Sequence, residues 1–139
     1  MSIVPVLIID SSPVFLRLLT GVLRHSYNQE IQIIGTAATL DEAFLQYSMS
    51  SPGIILVGLG TAAHTNISMI SRLRERWPRA GIIVLGLLDT GAYDRQAYAD
   101  GADAFVRKAN LSSELLPAIQ QVVRARQGDE GTTFLHELM

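Results

Sequence analysis

The chain has 139 residues, 48% of them hydrophobic and 17% charged, with a formal net charge of -2 and no cysteine. That length fits one domain with a single core. The weak negative charge gives no electrostatic basis for binding nucleic acid or an anionic membrane, the lack of cysteine excludes disulfides and thiolate chemistry, and no apolar run reaches the roughly 18 residues of a membrane span.

Val4–Ile9 reads as a first strand, with Pro5 tolerable near its start. No basic stretch precedes it, so no signal peptide is expected and a cytoplasmic protein is the default. Asp10-Ser11-Ser12-Pro13 then switches the period: Ser12 can cap, and Pro13 suits the first helical position. Val14, Phe15, Leu18, Leu19, Val22 and Leu23 form one broad apolar stripe on a helix ending near Tyr27 or Asn28. Ile31–Ala37 is the second strand, weakened toward its end by Gly35. Thr39 and Glu42 have capping-box spacing, which predicts a second helix over Leu40–Met49 with Leu40, Ala43, Phe44 and Tyr47 inward.

Pro52 and Gly53 lead into Ile54–Leu59, an unalternating aliphatic run of the kind found in strands covered on both faces. Residues 60–65 have no apolar period and are expected to be an irregular loop. A third helix follows over Asn66–Trp77, packing on Ile67, Ile70, Leu73 and Trp77, and Pro78 stands just outside it. Ile82–Leu87 is the fourth strand, and Tyr93, Ala97 and Tyr98 define a short fourth helix. Ala104–Val106 is a short last strand, left at Lys108. Ser112 or Ser113 is expected to cap a final helix on Leu115, Leu116, Ile119, Val122 and Val123, with Pro117 in its opening turns and fraying by Arg126. Gln127–Gly131 is linker-like. Five β-α units in this order predict a three-layer α/β sandwich on a parallel sheet with right-handed crossovers. Its chemistry should lie past the carboxyl ends of the strands, where the chain offers Asp10, Gly58, Gly86 and Lys108.

Over about residues 3–126 the chain resembles the receiver domain of bacterial two-component response regulators. The resemblance rests on Val6–Asp10 before Ser12-Pro13, on Pro52–Val57, on Leu73-Arg74 to Trp77-Pro78, and on Gly101–Lys108. In detail it is similar to the receivers of LuxR/NarL-type transcriptional regulators, where a Gly-x-x-aromatic-Leu segment often follows the fifth helix, as Gly131–Leu135 does here. The resemblance implies a CheY-like, flavodoxin-like (βα)5 fold with a five-stranded parallel sheet of order 2-1-3-4-5. It also implies a receiver-like domain over residues 1–126 and a linker or tail over 127–139, with a DNA-binding output domain beyond residue 139 as a possible attachment.

In that family an acidic pair follows the first strand, a phosphoacceptor aspartate ends the third, a threonine or serine ends the fourth, and a lysine follows the fifth. Asp10 matches the first acidic position, but Ser11 stands at the second, Gly58 at the phosphoacceptor position and Gly86 at the hydroxyl position. Beyond Asp10, only Lys108, and the aromatic Phe105 three residues before it, keep the pattern. Glycine has no oxygen to phosphorylate, and Asp10 with Ser11 makes a poor Mg²⁺ site. No metal and no cofactor are therefore expected. Asp89 and His64 are candidate replacements, with solvated loop residues as the plainer reading of both. Lys108, the single lysine beside ten arginines, is expected to form a salt bridge with Asp10.

Phe105, Tyr93, Tyr98, Ala102 and Arg107 mark the face of the fourth helix, last strand and final helix, with Asp94, Arg95 and Asp100 at its rim. Relatives often dimerise or dock partners there, which implies a homodimer or a protein partner on this face. Two functions follow: a phosphorylation-independent receiver acting by protein contact, or a small-molecule sensor using space left by Gly58, Gly60 and Gly86. The same space could instead be closed by inward-turned Leu59 or Leu87. An enzyme fits poorly, because the chain has no P-loop, no Gly-x-Gly-x-x-Gly after a strand and no useful histidine–carboxylate spacing. Direct DNA binding is not expected either, since the basic residues are dispersed.

Overall fold

The computed structural model describes residues 3–27, 30–58, 68–86, 98 and 100–138. Five strands, β1 (Val4–Ile9), β2 (Ile31–Ala37), β3 (Ile54–Gly58), β4 (Gly81–Gly86) and β5 (Ala104–Arg107), form one parallel sheet of order β2-β1-β3-β4-β5. Four α-helices accompany them among the described residues: α1 (Pro13–Tyr27), α2 (Leu40–Gln46), α3 (Ser68–Arg76) and α4 (Leu111–Leu138). This is the predicted sandwich. The apolar β1, β3 and β4 bury both faces, which splits the core into two layers. Leu7, Ile9, Ile55, Val57, Ile82 and Val84 meet α2 and α3 on one side. Val6, Ile8, Ile54, Leu56, Ile83 and Leu85 meet α1 and α4 on the other.

Local chemistry sets the element ends. The Ser12 hydroxyl accepts the Phe15 amide at 3.1 Å and its carbonyl accepts the Leu16 amide, so Ser12 caps α1 as expected. Thr39 Oγ1 takes the Glu42 amide, while the Glu42 carboxylate reaches back one residue further than a regular capping box, to the Ala38 amide. Trp77 is buried behind α3 and donates its indole N–H to the Ser50 carbonyl at 3.0 Å. Gly101, with φ +115, turns the chain into β5.

Several expectations need correction. The α1 stripe is narrower than predicted: Leu19 and Leu23 are buried and Phe15 and Val22 half-buried, but Val14 and Leu18 face outward. Six residues spread over that arc exceed what one side of the sheet can cover. α2 stops at Gln46 rather than Met49, because Tyr47 leaves the helical region (φ -118, ψ 27) to lay its ring over β2 and donate its hydroxyl to the Thr36 carbonyl.

α4 is not capped by Ser112 or Ser113. A 3₁₀ turn, Lys108–Asn110, leads into it at Leu111, whose burial draws the helix start forward, and Ser113 donates its hydroxyl to the Asn110 carbonyl. Pro117 consequently falls in the second turn. The helix also continues past Arg126 to Leu138, where fraying was expected. The good helix formers Gln120, Gln121, Arg124, Ala125 and Gln127 carry it on, against about 1 kcal/mol for each of Gly128 and Gly131. The third helix is described from Ser68, so Asn66 and Ile67, the loop 60–65 and the predicted helical residues Tyr93 and Ala97 lie outside the described residues.

Candidate functional site

The carboxyl ends of β1, β3, β4 and β5 bring Asp10, Gly58, Gly86 and Lys108 to one edge of the sheet. Asp10 follows β1, and its amide is held by the Ala37 carbonyl of β2. Its carboxylate turns back toward the sheet: Oδ1 accepts the Ser12 amide at 2.8 Å, and Oδ2 accepts Lys108 Nζ at 2.7 Å. The pair is nearly dry, with side-chain exposures of 3% for Asp10 and 11% for Lys108. Phe15 completes the enclosure, its ring centroid 4.2 Å from the ammonium, a cation–π contact on a group already paired. The expected salt bridge is therefore present. Ser12 and Phe15 are its further partners; the signal for the first is Asp-x-Ser ahead of a helix, a pattern in which the carboxylate takes an amide two residues on.

Both glycines are filled from the side. A Cβ built on Gly58 would lie 1.7 Å from Asp10 Oδ2, so the carboxylate occupies the room that a side chain at the end of β3 would need. A Cβ on Gly86 would lie 2.3 Å from Phe105 Cζ. The Phe105 ring is half-buried and packs against the core layer of α2 and α3. Ser11 points to solvent, away from Asp10's interactions. His64, Asp89, Leu59, Leu87 and Gly60 lie outside the described residues.

As a metal site the cluster is a poor fit. Both Asp10 oxygens already hold donors, one of them a cation, and among the described residues no group of three or more histidines or acids could hold an ion. Mg²⁺ would have to displace Lys108.

On the neighbouring face, Tyr98 is exposed, while Arg107 is partly exposed and pairs with Glu114 at 3.5 Å. Ala102 is buried in the core, correcting the expectation that it lies on the surface; the turn at Gly101 directs it inward. Tyr93, Asp94 and Arg95 lie outside the described residues, and Asp100 is partly exposed. Below this face runs a network that spacing did not suggest. Arg74 donates to the carbonyls of Pro78, Ala80 and Gly101 and to Asp103, which also accepts Arg126 at 2.9 Å and the Ile82 amide at 2.8 Å. It ties α3, β4, the turn before β5 and α4 together.

The response regulator receiver domain model matches residues 6–120. The chain is 26% identical over 117 residues to the transcriptional regulatory protein MctR of Rhizobium johnstonii, across 84% of this chain and 54% of that protein. It thus spans about half the length of the curated relative it matches. Among solved structures it resembles a two-component response regulator of the LuxR family from Aurantimonas sp. SI85-9A1, with a TM-score of 0.78 at 21% identity over 90% of this chain and 88% of the other. It also resembles the receiver domain of the putative response regulator NarL from Mycobacterium tuberculosis, with a TM-score of 0.75 at 19% identity over 89% and 98%. At those identities the likeness is one of fold. A response regulator from Burkholderia pseudomallei, solved with a phosphorylated aspartic acid, calcium and citrate, is 28% identical with a TM-score of 0.69 over 93% of this chain and 74% of that one. By the family match across most of its length and by its sheet order, the chain belongs to the response regulator receiver domains of two-component systems.

Proposed function

We propose that this receiver signals by protein–protein contact without phosphorylation at the end of β3, and that it has no enzymatic activity of its own. The observation that carries the reading is the position of Asp10 Oδ2, 1.7 Å from where a Cβ on Gly58 would stand, with Lys108 bound to it at 2.7 Å. Phosphoryl transfer needs an oxygen nucleophile, charge neutralisation of the transferring oxygens and donors to hold the product. At this edge the nucleophile position is a glycine, the metal-ligating carboxylate is neutralised by a lysine, and the lysine is spent on the carboxylate. Phe105 lies in the space beside Gly86, so no hydroxyl there can draw the ring from one position to another.

The face bearing Phe105, Tyr98 and Arg107 is the contact surface in this reading, used by a protein partner or a second copy. Residues 127–139 are the connecting segment, and a DNA-binding output domain beyond residue 139 is the element controlled. The transcriptional regulator relative, which is almost twice as long as the stretch it shares with this chain, supports that arrangement. A cytoplasmic location is consistent with it, and among the described residues no helix is long and apolar enough to cross a membrane. The ligand-sensing alternative has less support, because Asp10 and Phe105 fill the room beside Gly58 and Gly86.

Intact-mass spectrometry with light scattering, with and without Mg²⁺ and acetyl phosphate, tests the reading. The expected result is no phosphoryl adduct and no change of assembly. A stoichiometric adduct would overturn it, since another residue would then have replaced Gly58 as acceptor.

A further inference from the structure

Two helix faces on opposite sides of the same sheet edge are left apolar and carry opposite charge. Val14 and Leu18 of α1 are 67% and 57% exposed, and Leu45 and Met49, in α2 and just after it, are 82% and 95% exposed. Val14 and Leu18 are spaced i, i+4 and form a strip along α1, while Leu45 stands one turn after Asp41 on α2 and Met49 just beyond its end. Val14, Leu18, Leu45 and Met49 are four of the six large hydrophobic side chains exposed among the described residues. α1 contains no acidic residue; Arg17, Arg24 and His25 are exposed on it, and neither arginine has an ion-pair partner among the described residues. α2 contains no basic residue and carries Asp41 and Glu42 in its first turn. Asp41 takes a bond of 3.2 Å from Arg72 yet keeps a side-chain exposure of 87%. At Gly21, in line with Leu18 on the α1 strip, a Cβ would meet nothing within 4 Å, so a second helix can approach closely there.

We infer that a second copy of this chain docks here, α1 of one copy against α2 of the other. A basic apolar face and an acidic apolar face are complementary, and two faces of the same kind are not: α1 on α1 would oppose arginines, and α2 on α2 would oppose carboxylates. The topology also allows closure. β2 is the edge strand, α1 packs on one face of the sheet and α2 on the other. A two-fold axis in the plane of the sheet, alongside β2, exchanges those faces and forms the α1–α2 contact twice in one dimer. Doubling matters because one helix pair falls well short of the roughly 1,200 Å² typical of a stable interface. Such a dimer also covers the free edge of β2, which would otherwise be open to uncontrolled pairing. This contact is separate from the face at Phe105 and does not depend on how the Gly58 edge is read.

Sedimentation velocity between about 10 μM and 1 mM, the range of reversible contacts, tests the inference. The weight-average mass of the parent should rise toward twice the monomer value. Leu18→Glu and Leu45→Glu, both at exposed positions, should each weaken dimerisation by about tenfold or more while leaving thermal unfolding of the monomer unchanged. Arg17→Glu with Arg24→Glu should do the same, as should Asp41→Lys with Glu42→Lys. An equimolar mixture of those two charge-reversed proteins should form a heterodimer, because both of its α1–α2 contacts then pair acidic with basic residues, and one chain carrying all four changes should also recover dimerisation. A parent monomeric at 1 mM, or a dimer insensitive to these changes and lost on Tyr98→Glu, would overturn the inference.

Discussion

Removing the ammonium of Lys108 isolates a buried carboxylate, and the size of the effect follows from how completely Asp10 is enclosed. In Lys108→Ala, Asp10 keeps the Ser12 amide at 2.8 Å but loses the 2.7 Å bond from Nζ, and no other donor to its carboxylate is present among the described residues. Breaking a buried pair from one side costs about 3–5 kcal/mol. The slight exposure of Lys108 lets water reach the vacated space, so the low end, about 3 kcal/mol, is expected. That is a large share of the roughly 5–15 kcal/mol that holds a domain together. With a urea m-value of about 1–3 kcal/mol/M, the midpoint should fall by about 1–3 M. Trp77, the single tryptophan and buried, reports unfolding by fluorescence. Because alanine also removes the alkyl stem of the lysine, Lys108→Met separates the two contributions: most of the loss should persist when only the charge is deleted. Lys108→Ala combined with Asp10→Ala should be less damaging than the sum of the single changes by at least about 1 kcal/mol, the mark of a coupled pair. Unchanged midpoints in the lysine variants, or strict additivity in the double variant, would refute the account of this edge as a closed ion pair.

The other sites give sharper signs than sizes. Gly58→Asp must displace the Asp10 carboxylate from its present place, so it should lower stability by about 1–3 kcal/mol and yield no phosphoryl adduct with acetyl phosphate, as read by urea midpoint and intact mass. Gly86→Thr drives a side chain into the Phe105 ring; a similar loss is expected, and Phe105→Leu in the same chain should recover part of it, whereas an equal loss in both backgrounds would count against the packing described. Asp103→Ala strips a shared partner from Arg74 and Arg126 and leaves the Ile82 amide unbonded, so about 2–3 kcal/mol should be lost. Arg126→Ala removes a single partly exposed partner and should cost under about 1 kcal/mol in the same denaturation assay.

Most of the fold was legible because it rests on local signals that tertiary structure reinforced. Ile54–Val57 and Ile82–Leu85 have no polar alternation, as strands covered on both faces should not, and Ser12 and Thr39 announced their helices through hydroxyls that do cap them. The misreadings fall where one local rule met a competing contact. Tyr47 abandoned α2 for β2, and Leu111 began α4 early to reach the core. Periodicity treated the α1 apolar residues as a single stripe, because spacing records which side chains share a side of a helix and not how wide a strip the sheet can cover. At the site, the identities of Asp10, Gly58, Gly86 and Lys108 could be read, as could the bridge between the two charged ones. What fills the glycines could not: that depends on side-chain directions set by β1 and β5, far away in sequence.

Those directions make the two glycines parts of two packed pairs instead of two independent gaps. Lys108 draws the Asp10 carboxylate across the end of β3, and only a residue without a Cβ at position 58 leaves room for Oδ2 to lie there. Phe105, three residues before Lys108, turns inward along β5 into the room beside Gly86. The start of the turn after β5 is thus fixed at one end by an ion pair and at the other by an aromatic ring, each resting on a glycine. Restoring a side chain at either glycine alone must therefore break a contact before it can make one. A reversal of this edge needs at least a paired change, at Gly58 with Asp10 or at Gly86 with Phe105, and single substitutions at the glycines should lose stability without gaining phosphoryl chemistry.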